Sequence, residues 1–201
     1  AIIEKGEAPS RIVLQPGLTE GGSSRPKIDM KHDDEEFPLF KLGKGNSILV
    51  SGSMFSDKGG WTTDSQYIDQ MGSTYLLAHG LGTPVADAMT DIDVPVSGEY
   101  NMFVRTRNWT APFTTAPTPG LFKVLIDGRE TEFVFGNGSP EWQWQRGGSV
   151  FLTKGMHQLA VRDLTGFDGR FDSILLTTLK GCPDSSLETL HCLRNNLQTM
   201  G

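Results

Sequence analysis

The chain has 201 residues and a formal net charge of −6, with 18 Lys and Arg against 24 Asp and Glu and no basic cluster, which argues against a nucleic-acid interface or an anionic membrane surface. Hydrophobic residues at 37%, with 24 Gly and 11 Pro, suit one substantial, turn-rich β domain with extensions. No apolar run approaches the roughly 18 residues of a membrane-spanning helix.

Residues 1–45 read as an irregular N-terminal extension. Arg11 to Leu14 suits one short strand, which Gly21-Gly22-Ser23-Ser24 and Pro26 follow. The acidic run Asp33-Asp34-Glu35-Glu36 reads as a solvated linker, with Phe37, Leu39 and Phe40 pinning the arm to the domain. Ser47 to Val50 is a first β run. Gly60 to Gly82 is too polar for a buried strand and too rich in Gly, Ser and Thr for a helix. It holds Trp61, Tyr67, Tyr75 and His79, and reads as an ordered insertion after the first strand or as a binding surface.

Ala88 to Val94 alternates, and Tyr100 to Arg107 alternates with a period of two: Tyr100, Met102, Val104 and Thr106 on one face, Asn101, Phe103, Arg105 and Arg107 on the other. Gly120 to Ile126 is a strand ended by Asp127-Gly128, a hairpin dipeptide, and Thr131 to Phe135 is its expected partner. Gly147-Gly148 precedes a strand from Ser149 to Leu152. Gln158 to Asp163 and Phe171 to Thr178 complete the set. Leu187, Leu190, Leu193 and Leu197 lie at spacings of three and four, predicting a helix over 185–197 capped by Asp184 or Ser185. Its apolar stripe needs cover, from this domain or from a following one. Many short strands without alternating helices predict an antiparallel β-sandwich, most simply a jelly roll.

Trp142 and Trp144 in Glu141-Trp142-Gln143-Trp144-Gln145 share a face if that stretch is a strand, making either a stacking platform for sugar rings or two core anchors. Arg105, Arg107, Asn108 and Trp109 run into the Pro-rich loop Pro112 to Pro119. The two arginines suit a carboxylate, from an acidic sugar or from Asp163, Asp168 or Asp172. His79 with Asp69, Gln70 and Ser73 lacks a nucleophile elbow. Asp163 and Asp168 form either a carboxylate pair or a tight loop whose side chains hold backbone amides. Asn108-Trp109-Thr110 and Asn137-Gly138-Ser139 are formal glycosylation sequons. Cys182 and Cys192 fit either a short-loop disulfide or two thiols, and no companion ligands at zinc spacing accompany them.

Between about residues 47 and 178 the order of segments resembles the galactose-binding-like jelly roll of many carbohydrate-binding modules. The matching pieces are Asp93 to Tyr100 leading to Arg105, Phe122 to Gly128, Val150 to His157 with Leu159 to Val161, and Phe171 to Leu176. The stretches Gly59 to Gly82, Val104 to Trp109, Glu141 to Gly148 and Arg162 to Thr178 resemble more narrowly a module accompanying secreted bacterial FAD-dependent oxidoreductase-like and xanthan-lyase-like proteins. The resemblance implies a non-catalytic accessory module that binds a glycan or polysaccharide, beside an enzyme domain, in a secreted or periplasmic bacterial setting. No GxGxxG follows a strand, so no dinucleotide cofactor is expected. Calcium-holding relatives carry acidic residues in the first strand, whereas Ile48-Leu49-Val50-Ser51-Gly52-Ser53 has none. Asp172 alone is a poor site for an ion wanting about six to eight oxygens, so no metal is expected.

The expected organisation is an extension (1–45), a sandwich (46–180) and a helical tail (181–201). The expected ligand-binding residues are Trp61, Tyr67, His79, Arg105, Arg107, Trp109, Trp142 and Trp144, with no catalytic residue. The alternatives are a structural interdomain scaffold, and an enzyme with its site around Trp61 to Gly82 together with Arg105, Arg107 and Asp168.

Overall fold

The computed structural model describes residues 42–43, 45–111 and 118–197. The expectations for residues 1–41 and most of the Pro-rich loop lie outside them.

Among the described residues ten strands form two antiparallel sheets. The first sheet takes β1 (Ser47–Ser51), β2 (Thr62–Asp64), β3 (Tyr75–His79), β5 (Gly98–Thr106), β8 (Gln143–Leu152) and β10 (Phe167–Thr177) in the order β2-β3-β10-β5-β8, with β1 also on β10. The second takes β4 (Ala88–Val94), β6 (Phe122–Ile126), β7 (Arg129–Glu130) and β9 (Gly155–Asp163) in the order β4-β9-β6-β7. The expected β-sandwich is the fold observed.

The eleven-residue β10 is long enough to serve two strands along one edge. β1 pairs with its second half, from Ser47↔Thr177 to Ser51↔Ser173. β3 pairs with its first half, from Phe167↔His79 to Phe171↔Leu76. β5 runs along the other edge. A 3-10 turn at Gly52–Met54 takes the chain off the β10 edge between β1 and β2.

Between the sheets pack Leu76, Ala78, Tyr100, Met102, Val104, Phe122, Val124, Phe135, Leu159, Val161, Phe171, Ile174 and Leu176. A register irregularity between Phe171 and Ser173 lets Phe171 and Ile174 both face this core while Asp172 turns outward. The outer face of the larger sheet is covered as well. There Leu49, Tyr75, Phe103, Trp142, Trp144 and Leu175 meet α1 (Ile68–Met71) and α2 (Leu187–Leu197) through Met71, Leu190 and Leu193. The leucine stripe of α2 is thus covered by its own domain. Ser186 caps the helix, its hydroxyl accepting from the Thr189 amide at 3.1 Å, one residue beyond the expected caps. Asp184 supports the cap from outside, accepting from the Ser186 amide and the Thr189 hydroxyl.

Three local expectations change. The segment from Gly60 to Gly82 is not an insertion over the sheet: it supplies two strands of it, and Tyr75, Leu76 and Ala78 of β3 are fully buried. The strand expected at 149–152 starts at Gln143, because Gly147-Gly148 is not a turn but an irregularity inside β8 that makes room for the Phe135 and Phe133 rings. The hairpin at Asp127-Gly128 is present, with both residues at positive φ. Its two-residue turn sets Ile126↔Arg129 and Leu125↔Glu130, so the partner strand begins before Thr131, and Phe135 returns only as an isolated bridge to Phe122. Among the described residues no helix is long and apolar enough to cross a membrane.

Candidate binding site

The end of β3, the end of β5 and the start of β10 meet at one end of the larger sheet. The last pairings there are Phe167↔His79 and Phe171↔Thr106. Continuing the second ladder by one residue sets Arg107 opposite Arg170. Each guanidinium lies against an aromatic ring: Arg107 over Tyr67 at 4.4 Å, and Arg170 over Trp109 at 5.4 Å. Trp109 is fixed by its indole N–H, which donates to the Phe167 carbonyl at 3.3 Å, and Arg170 donates to the Asp168 carbonyl. The Nε atoms of both arginines are buried without a hydrogen-bond partner among the described residues.

The neighbouring loops are braced from within. Asp163 is buried and accepts from the backbone amides of Val85, Thr165 and Gly166, as the tight-loop reading has it. Thr165 donates to the Pro119 carbonyl. His79 Nδ1 lies 2.6 Å from Asp168 Oδ1, with the histidine side chain 57% exposed. Phe167 is partly exposed beside Gly82, and Leu81, at φ 52°, projects into solvent.

The expected site residues separate into two groups. Tyr67, His79, Arg107 and Trp109 are half-buried or exposed, with His79 and Trp109 placed beside the start of β10. Trp61, Arg105, Trp142 and Trp144 are interior. Trp61 packs edge-on to Phe122 and Phe171 in the sandwich core. Trp142 and Trp144 do share a face, but it is the covered outer face, so they are core anchors and form no exposed platform. Arg105 is 3% exposed, with Nε 3.7 Å from Asp172 and Nη1 donating to the Ser185 carbonyl, so it is not free to grip a ligand beside Arg107.

Sequence reasoning missed Arg170 and Phe167. The available signal was register: once Phe171 to Thr178 pairs antiparallel with the 100–107 strand, the residue before Phe171 falls opposite Arg107.

The groups gathered here are suited to recognition. Arg107 is half-buried and Arg170 is buried at 9% exposure, already donating to the Asp168 carbonyl, so Arg107 is the guanidinium that a planar, acceptor-rich group such as a carboxylate reaches first. Tyr75, buried beside Arg170 and Asp64, has its phenol pushed up to about 12, chiefly by burial, so it remains protonated. Ser73 bonds Asp172 and Arg194 at the opposite end of β3 from His79, so the Ser73-His79-Asp69 set is not assembled. Asn108 is buried and accepts from the Thr110 amide and hydroxyl. Cys182 and Cys192 are free thiols, with burial raising the Cys182 thiol.

No family model matches the chain, and no curated protein matches it. Solved structures do. The native family 35 carbohydrate binding module from Clostridium thermocellum superposes with TM-score 0.51 at 16% identity, over 65% of this chain and 97% of that one. The Podospora anserina GH26-CBM35 β-(1,4)-mannanase superposes with TM-score 0.50 at 17% identity, over 68% of this chain. This chain spans 28% of the mannanase. At such identities the likeness is one of fold, and it places the chain among jelly-roll sandwiches of the type built by these modules.

Proposed function

We propose that the chain is a non-catalytic carbohydrate-binding module whose site is the end of the larger sheet bearing Arg107, Arg170, Tyr67, Trp109 and His79. The supporting observations are Arg107 over Tyr67 just past the end of β5 and Arg170 over Trp109 near the facing start of β10. They match a sugar that carries a carboxylate, with Trp109 available to a ring face. In this reading the sandwich (46–180) carries the site, with an extension over 1–45 and a tail over 181–201 whose helix α2 clamps the outer face. The mannanase neighbour carries a CBM35 together with a GH26 part, which supports a role as accessory to an enzyme domain. The narrower sequence resemblance extends that role to a secreted or periplasmic bacterial system with an oxidoreductase-like or xanthan-lyase-like partner. The scaffold alternative loses its main support, because the α2 stripe is covered by the domain itself.

Calorimetric titration with oligogalacturonate, glucuronoxylan fragments and xanthan fragments tests this reading. Binding is expected for at least one acidic glycan, weakened about tenfold or more by Arg107→Ala and by Arg170→Ala, since loss of a charge-assisted pair commonly costs upward of ~1.4 kcal/mol. Added salt weakens it further. Absence of binding to every acidic glycan, or binding indifferent to both substitutions, sinks the assignment.

A further inference from the structure

At the opposite end of the sandwich, on its open side, a groove of about 660 Å³ lies between the edge strand β8 and the β6–β7 hairpin. Met102 and Leu152 contribute to its lining, and the His157–Asp127 pair closes one end, with Nδ1 to Oδ2 at 2.7 Å. Two aromatic rings stand at its margin: Phe133 is 42% exposed and Phe151 is 68% exposed. What marks these two rings among the exposed apolar residues is that both border one groove. The Phe133 wall is specifically built. Its ring lies on Gly148, at φ 73°, where any Cβ would overlap it.

The rim gives the chemistry. The Thr131 and Ser149 hydroxyls donate within the domain, to the Val124 carbonyl and to Glu99, and so present acceptor lone pairs there. Most of the charge facing the groove is already neutralised. Glu130 is held by Lys123 and Arg162, and Asp127 by His157, leaving Glu132 and Arg129 as one charge of each sign. Nothing here resembles the paired arginines at the other end, so an acidic ligand gains no net attraction. Apolar faces beside hydroxyls and a carboxylate match the C–H faces and hydroxyl edges of an uncharged sugar. The β8 edge is a poor template for an added peptide strand. The Gly147-Gly148 irregularity breaks it, and Gln145 ties it to Val134 and Asn137.

We propose that this groove is a second glycan subsite, for a short neutral oligosaccharide. The proposal rests on the reading of the chain as glycan-binding, but on different residues. The test is an amide-resolved NMR titration of the full chain with cellohexaose, mannohexaose, xylohexaose and trigalacturonate. The amides of Phe133, Ser149 and Phe151 are expected to move with at least one neutral hexasaccharide and to stay still with trigalacturonate. In the doubly substituted Phe133→Ala, Phe151→Ala chain that response weakens about tenfold, while the trigalacturonate response at Arg107 and Trp109 persists and shows the chain is folded. Neutral-sugar shifts confined to Trp109 and Asp168 overturn the groove and leave glycan binding intact. Shifts unaffected by the double substitution overturn the groove too, and silence toward all four sugars overturns both readings.

Discussion

Asp172 is fully buried, yet it accepts from Arg194, Ser73 and Ser173 and lies 3.7 Å from Arg105. Burial pushes its carboxyl up, and the two guanidiniums and two hydroxyls pull it back. Removing one cation leaves a buried carboxylate short of its compensation. Arg194→Ala is therefore expected to cost about 3 kcal/mol, read by urea unfolding. A loss under about 0.5 kcal/mol would mean that Asp172 is relaxed by water or protonated. His157 makes a different, pH-dependent contribution. Both ring nitrogens face acceptors, Asp127 Oδ2 and the Thr153 carbonyl, an arrangement that suits the doubly protonated ring. Its pKa is raised, first by the Asp127 bond, and that of Asp127 is lowered, first by His157. The histidine's contribution is complete below its ordinary value of 6.5 and is lost as pH rises through its folded value; the aspartate's is present above 3.8 and is lost as pH falls through its folded value. The melting temperature should decline as pH rises from 6.5 through the folded value of His157, and His157→Gln should flatten that decline. An unchanged slope in the variant would assign it to other groups.

At the scale of elements, α2 belongs to the sandwich through both packing and polar anchoring. Leu190 and Leu193 are fully buried against the outer face, and Arg194 donates to the Met71 carbonyl and to Asp172. Leu193→Ala is expected to cost about 2–5 kcal/mol in denaturant unfolding, with the cavity under the helix adding to the lost transfer energy. A cost below about 1 kcal/mol would show that the outer face collapses readily onto the gap. The strands differ in how plainly their sequence announces them. β4 has one face on the core and one toward solvent, and its alternation marks Ala88–Val94 to the residue. β3 is buried on both faces of its first half, yet lies within Ser- and Gly-rich surroundings, so no period of two marks it.

Over the whole molecule, polarity separates two ends of one sandwich: paired arginines with aromatic rings at one, and a nearly neutral, phenyl-lined groove at the other. Half of the expected binding residues are where a ligand can reach them, because exposure is decided by what covers a face. Trp142 and Trp144 alternate as a sugar platform would, and nothing in their own segment announces that α1 and α2 lie over them. Most strands, their antiparallel sandwich, the Asp127-Gly128 hairpin and the helix near the C-terminus were determined by the sequence itself, through local periodicity and turn chemistry. Tertiary structure alone decided the partners: Arg105 for Asp172, His79 for Asp168 across 89 residues, and the end of β5, next to Arg107, for the Phe171 end of its ladder on β10, next to Arg170. The physical reason is that a side chain's rotamer, burial and charge state follow from groups brought beside it by strand register, and register is set by the pairing of distant segments.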